Sequence, residues 1–150
     1  NARFCMAGHG PLEETMRRAI SQAHLGERLS LLGFRKDILE VIASFDLLLL
    51  TSVAREASST VIKQAAALGV PVIATDVGGT REIIDDGRTG ILVKAGDIET
   101  LVAATRSLLT NRTRAFEMGR LGKEKVLREF TARAIAASTE NLYLRLLHKT

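Results

Sequence analysis

The residues best placed to do chemistry fall in one run, Glu56-Ala57-Ser58-Ser59-Thr60-Val61-Ile62-Lys63-Gln64, preceded by Arg55 and followed by an apolar strand and a glycine turn, Asp76-Val77-Gly78-Gly79. The small polar stretch Ser58-Ser59-Thr60 leaves room at a helix N-terminus, where unpaired backbone N–H groups point outward and favour an anion. Glu56 lies just before it and supplies an acceptor. Gln64 lies along the helix, within roughly 80° of Glu56 at ~100° per residue if the helix runs back that far. An anion site flanked by a carboxylate and an amide suits a phosphorylated, hydroxyl-rich ligand, and a nucleotide-sugar fits that description.

Positioning such a set takes a folded domain, and 150 residues suffice for one with a sizeable core. Hydrophobic content of 46% and charged content of 25% argue against disorder. With no Trp, five Phe and one Tyr, the core must be built from Leu, Ile, Val and Ala, a mixture that suits helices on a parallel sheet. The charge of +4 reads either as a slightly basic surface or as attraction to phosphates or anionic lipid. No arginine-rich stripe interleaved with aromatics appears, which speaks against nucleic acid as a partner. The single cysteine, Cys5, excludes an internal disulfide and a cysteine-based zinc site, and its apolar setting predicts a buried thiol. The longest apolar run, Phe45 to Leu50, is too short to cross a bilayer. The chain opens on Asn1 with no signal-peptide pattern and reads as a piece of something longer.

Strand and helix patterns alternate along the chain. Strands are expected at Ala2 to Ala7, Arg28 to Gly33, Leu47 to Thr51, Val72 to Ala74 and Gly90 to Val93. Between them come a helix with Pro11 in its first turn, one capped by Asp37, one over Thr60 to Leu68 ended by Gly69, and a short one at Thr80 to Ile84. Asp97 caps a helix with Ile98, Leu101, Val102, Thr105, Leu108 and Leu109 inward, and two more follow, about Arg112 to Phe130 and, after Thr131, Ala132 to His148. This alternation predicts one α/β domain over residues 1–150, a Rossmann-like, doubly wound parallel sheet. Ligands in such sheets bind beyond the carboxyl ends of the strands. Gly8-His9-Gly10, Gly33-Phe34-Arg35, Ser52 to Ser59 and Asp76 to Thr80 fall at those ends and are expected to line one crevice.

Four segments, GHGPLEE, LLGFRKDILEVIASFDLLLLTS, REASSTVIKQAAALGVPVIATDVGGTREII and DGRTGILVKAGDIETL, resemble in order and spacing the family 4 glycosyltransferases. The resemblance covers nearly the whole chain and implies the C-terminal, donor-binding half of a GT-B enzyme, whose two Rossmann-like domains clasp a nucleotide-sugar. It implies transfer to an acceptor hydroxyl with retention of configuration and no metal or other cofactor. It further implies a partner N-terminal domain, a glycan, lipid-linked or small-molecule acceptor, and a cytoplasmic location at or near the inner membrane face.

Carried over by position, Glu56 matches the first of two glutamates separated by seven residues and is implied to meet donor-sugar hydroxyls as the catalytic-site acid; a solvated loop carboxylate is the plainer reading. The backbone of Ser58, Ser59, Thr60 and Val61 matches the segment near sugar and diphosphate. Gln64 stands where the family has its second glutamate, the ribose ligand. An amide offers one carbonyl acceptor where a carboxylate accepts from two hydroxyls, and the exchange is expected to cost about tenfold in donor affinity. Gly8 and Gly10 match a glycine turn beside the donor pocket, or form a plain tight turn. Phe34 and Arg35 follow the strand near which the family places the nucleobase, with a rim charge the other reading of Arg35. His9 is taken to face solvent, and Gly78-Gly79 serve either close backbone approach or packing of the next helix. Arg81 with Glu82 reads as a surface pair. Glu13-Glu14, Asp85-Asp86 and the Lys123-Lys125-Arg128 face are taken as solvated. His24 and His148 are placed on helices without metal-ligand spacing.

The family's donor domain begins with another strand, followed by an arginine and a lysine that neutralise the diphosphate. The match here starts at the second strand. In the order 3-2-1-4-5-6 the first is central, and without it two edges are left unpaired. The α-helix N-terminus near Ser59 and Thr60 is then the expected diphosphate contact, and the 150 residues alone are expected to be inactive. The other class of function is a non-catalytic nucleotide- or phosphosugar-binding module. A dehydrogenase is disfavoured, because Pro11-Leu12-Glu13 follows Gly8-His9-Gly10 where a Gly-x-Gly-x-x-Gly would continue.

Overall fold

The computed structural model describes residues 2–54 and 56–147. It divides into two compact units, residues 1–40 and 41–150. The first contains β1 (Phe4–Ala7), α1 (Glu13–Gln22) and β2 (Leu29–Gly33), and α2 (Ile38–Ala43) crosses into the second. The second contains β3 (Leu48–Leu50), α3 (Thr60–Leu68), β4 (Val72–Thr75), α4 (Thr80–Ile83), β5 (Ile91–Val93), α5 (Ile98–Thr110), α6 (Arg112–Glu129) and α7 (Ala132–Leu147). The expected elements are present, most with their ends drawn in by a residue or two, and β4 longer by Thr75.

Every strand pairing is parallel, as the alternating pattern requires, but the single expected sheet is two: β1-β2 and β3-β4-β5. Within each unit the neighbours are those that the order 3-2-1-4-5-6 prescribes. Among the described residues, β1 and β3 each have one unpaired edge. In the first unit this leaves β1 exposed along its whole length, and Cys5, expected inside, is exposed. A parallel strand reads as apolar because it is normally covered on both faces. Here the pattern is kept and the cover is not. Pro11 lies in the turn ahead of α1 rather than within it, and Leu12 is the N-cap. His24 lies just past the helix in the left-handed region, φ 53°. Asp37 pairs with Arg35. His148 lies outside the described residues.

The second unit carries the core. β4, flanked by β3 and β5, is buried at all four residues. Ile73, Val93, Leu108 and Met118 form the cluster beneath it, with Leu49, Ile91, Leu101 and Ala104 packed around. Each such aliphatic side chain contributes about 1.5–3 kcal/mol when fully buried. α5 meets the sheet through the stripe Leu101, Ala104, Thr105, Leu108; Val102 and Leu109, expected inward, are exposed off that stripe, and Ile98, also expected inward, is exposed as the first residue of the helix. Asp97 caps α5, accepting from Thr100 N at 2.9 Å. α7, capped by Thr131, has no buried residue.

α3 and α6 pack closest. Glycine is what permits this: a Cβ on Gly119 would stand 2.1 Å from the Gly69 carbonyl oxygen, while one on Gly122 would stand 3.0 Å from the Thr89 carbonyl in the β4–β5 connection. Gly69 ends α3 in the left-handed region (φ 79°), its N–H donating to Ala66 O at 2.8 Å and that of Val70 to Ala65 O at 2.9 Å, a Schellman motif. The same face of α6 buries Lys125, whose Nζ meets Asp85 Oδ1 at 2.7 Å. Asp86 Oδ1 accepts from Leu92 N at 2.8 Å. So Lys125, Asp85 and Asp86, taken as solvated, hold the β4–β5 connection instead. Lys123 and Arg128 are exposed, as expected.

Gly119→Ala is expected to lower stability by about 1–3 kcal/mol, the usual cost of overpacking, read from the urea midpoint at constant m-value. The Asp97 carboxyl is held below its ordinary value chiefly by the Thr100 amide. Its cap is therefore fully present above the unfolded-state value and is lost as pH falls through the lower folded one. Asp97→Asn, which keeps an acceptor but does not titrate, is expected to flatten the acid limb of a stability–pH curve below about pH 4.

Candidate functional site

The site is built where β3 and β4 end. The chain leaves β3 at Leu50, runs through Ser52 to Glu56, and enters α3 at Thr60. Ser59 is the N-cap, buried and in extended conformation, its hydroxyl accepting from Ile62 N at 3.4 Å. The N–H groups of Thr60 and Val61 have no acceptor among the described residues. They are the open donors that the polar stretch predicts. Ser58 is exposed beside them, and its Oγ accepts from Lys63 Nζ at 3.1 Å.

Lys63 is the residue that sequence reasoning missed. Helical side chains lean toward the N-terminus, so a lysine in the second turn reaches back over the first. That brings a cation to the positive end of a helix, an unfavourable place unless an anion joins it. Lys63 forms no ion pair among the described residues. The signal was available in the spacing of Lys63 from Ser59, had the backward lean been considered.

Glu56 is half-buried in the loop, not on a backward extension of α3, so the helical angle to Gln64 does not apply. Its Oε2 accepts from Ser52 Oγ at 3.1 Å, and its carbonyl accepts from Gly79 N at 2.9 Å. Gln64, also half-buried, makes no side-chain hydrogen bond among the described residues. Glu56, Ser58, Ser59, Thr60, Val61 and Gln64 thus lie together on one loop and the first turns of one helix. Arg55 lies outside the described residues.

The turn after β4 closes the site from below. Gly78 has φ 54°, and a Cβ there would stand 2.0 Å from the Glu56 carbonyl oxygen; one on Gly79 would stand 2.1 Å from that of Ala57. Of the two readings of this pair, close backbone approach is the one observed. Thr80, fully buried, accepts from Val77 N at 3.0 Å and shares its proton between the carbonyls of Val77 and Thr75. Thr75, buried, donates through its hydroxyl to the Ser52 carbonyl. Arg81 pairs with Asp76 rather than Glu82.

Gly8, Gly10, Phe34 and Arg35 belong to the first unit. Gly8 (φ 135°) donates to Gly33 O at 2.8 Å, joining the turns after β1 and β2. A Cβ on Gly8 or Gly10 would meet nothing within 4 Å. Phe34 is exposed and meets the His9 ring edge-on, centroids 5.8 Å apart. Arg35 is bound through two nitrogens to Asp37, which raises its pKa above the ordinary guanidinium value and lowers that of Asp37. No group of described residues has the make-up to hold a metal ion, and no described helix is long and apolar enough to cross a membrane.

Residues 1–111 match the family model described as glycosyl transferases group 1. The chain belongs to that family. It is 32% identical over 147 residues to N-acetyl-alpha-D-glucosaminyl L-malate synthase of Bacillus anthracis, a match covering 98% of this chain and 38% of that protein. Its fold superposes on HepE of Anabaena in complex with UDP-glucose with a TM-score of 0.84 at 26% identity, covering 93% of this chain and 40% of that one. It also superposes on the C-terminal domain of a glycosyl transferase group 1 protein from Francisella tularensis, TM-score 0.75 at 15% identity, covering 87% and 86%. The group 1 chain thus spans about two fifths of the length of its full-size relatives. It is a Rossmann-like parallel-sheet domain corresponding to roughly the C-terminal half of a GT-B enzyme.

Proposed function

We propose that this domain binds a nucleoside-diphosphate sugar at the start of α3, and that the intact enzyme transfers the sugar to an acceptor hydroxyl with retention of configuration. The observation that carries the reading is the pair of open amides, Thr60 and Val61, at a helix N-terminus with the Glu56 carboxylate fixed just ahead of it. The amides and the Lys63 ammonium take the diphosphate. Glu56 accepts from hydroxyls of the sugar, and Gln64 pairs with the ribose. Ser58 and Ser59 shape the segment between them. When the bond between the anomeric carbon and the diphosphate oxygen breaks, negative charge gathers on the departing diphosphate. Donors already aimed at that position stabilise it without reorganisation. Gly8, Gly10, Phe34 and Arg35 belong to the first unit and are described there by themselves, Phe34 as an exposed ring and Arg35 as already engaged by Asp37. The acceptor, a glycan, lipid-linked or small molecule, is assigned to an N-terminal partner domain, and the enzyme to the cytoplasm or its membrane face. As the family resemblance implies, the transfer is taken to need no metal.

A non-catalytic binding module is the second reading, favoured by Gln64 standing where a carboxylate would grip the ribose more strongly. Saturation-transfer NMR with UDP, GDP, ADP and NAD separates these from a dehydrogenase, the expected result being a nucleoside diphosphate over NAD. Lys63→Ala and Gln64→Ala are each expected to weaken binding of the preferred diphosphate about three- to tenfold by calorimetry. Unchanged dissociation constants for both overturn the placement at α3. The 150-residue chain alone is expected to bind without turnover. Sugar transfer by it removes the need for the partner domain.

A further inference from the structure

We propose that Ser52 and the Gly78-Gly79 turn are positioning residues that hold the Glu56 carboxylate in register for the sugar of the donor, a role that rests on the donor reading above. Glu56 sits on a loop with no regular structure of its own, and a free glutamate there would sample many rotamers. Three contacts remove that freedom. Gly79 N–H fixes the main chain through the Glu56 carbonyl at 2.9 Å. The two glycines let the turn come so near that side chains of any kind at 78 or 79 would collide with the carbonyls of Glu56 and Ala57. Ser52 Oγ fixes the side chain through Oε2 at 3.1 Å.

Ser52 is anchored in its turn. Its carbonyl accepts from the hydroxyl of Thr75, a buried residue at the end of the central strand, and Thr80 braces the same turn from inside. The loop is thereby referenced to β4, the most rigidly packed strand of the unit. The Ser52 proton occupies one lone pair of the carboxylate. The other oxygen and the remaining lone pairs stay available to hydroxyls of a ligand. A carboxylate held this way meets its ligand with its orienting cost already met by folding, the general advantage of preorganisation.

The test measures two things on the chain: the ratio of affinities for UDP-glucose over UDP, GDP-mannose over GDP and ADP-glucose over ADP by calorimetry, and the NMR coupling across the hydrogen bond from Gly79 nitrogen to the Glu56 carbonyl carbon without ligand. Wild type is expected to show the coupling and to favour one donor over its diphosphate. Ser52→Ala is expected to cut that ratio about three- to tenfold with the bare diphosphate unaffected, Ser52→Thr to restore it, and Ser52→Ala to add nothing once Glu56 is alanine. Gly79→Ala is expected to abolish the coupling and the ratio together, and Ser52→Ala carries the test if that variant does not fold. Loss of diphosphate and donor affinity alike in Ser52→Ala, an undiminished ratio, or absence of the coupling in wild type overturns the positioning role alone. A wild type that shows the coupling yet discriminates no donor from its diphosphate overturns the donor reading, and the role assigned to the clamp goes with it.

Discussion

One backbone hydrogen bond, from Gly79 N–H to the Glu56 carbonyl, joins the two segments on which the site depends. Without it the loop between β3 and α3 would be held to β4 only through the Thr75 hydroxyl on the Ser52 carbonyl. With it, the loop is laid against the turn after β4, and Glu56 takes its position from there. The bond demands bare backbone on the donor side, because the approach leaves no volume for a methyl group. A physical limit of about an atom's width thus decides two residue types in a chain of otherwise ordinary apolar and charged composition.

Around that joint the unit behaves as a stack of fixed references. β4 is buried at every residue and sets the plane. α3 is pinned at its start by the Ser59 cap and at its end by the Gly69 motif, so its open amides face outward from a helix whose register is determined at both ends. The Lys125–Asp85 pair ties α6 to the connection before β5. One member is buried and the other half-exposed, so much of the attraction is screened, and the pair specifies position more than it adds stability.

Much of this was legible in the residues. Gly69 after an apolar helix and Asp97 before one announce their caps, because a cap is a local interaction between neighbours in the chain, whereas Asp37, also expected to cap, pairs with Arg35. The parallel pairing followed from the alternation of strand and helix, and the site loop from its place at the strand ends. What misled the reading was non-local. Cys5 reads as buried from its apolar neighbours, but burial depends on what covers β1 and not on β1 itself. Lys125 looks like one charge in a solvated row until the helix face it shares with Gly119 and Gly122 is known. Val102 is as apolar as Leu101, and only the lie of α5 on the sheet separates them. Lys63 was readable in principle, since the lean of helical side chains is a general rule, but its partner at Ser58 required the loop's actual course.

The contact of α6 with the end of α3 has a mechanical meaning for how the protein can respond to an occupant. At Gly119 the backbone of α6 meets that of Gly69 at the end of α3 with no room for a side chain, so at that point neither helix can slide or tilt without opening a gap or forcing a collision. α3 is therefore an anvil and not a lever. Adaptation to ligands of different size must be taken up by the loop from Ser52 to Ser58, whose give is bounded by the few bonds that hold it.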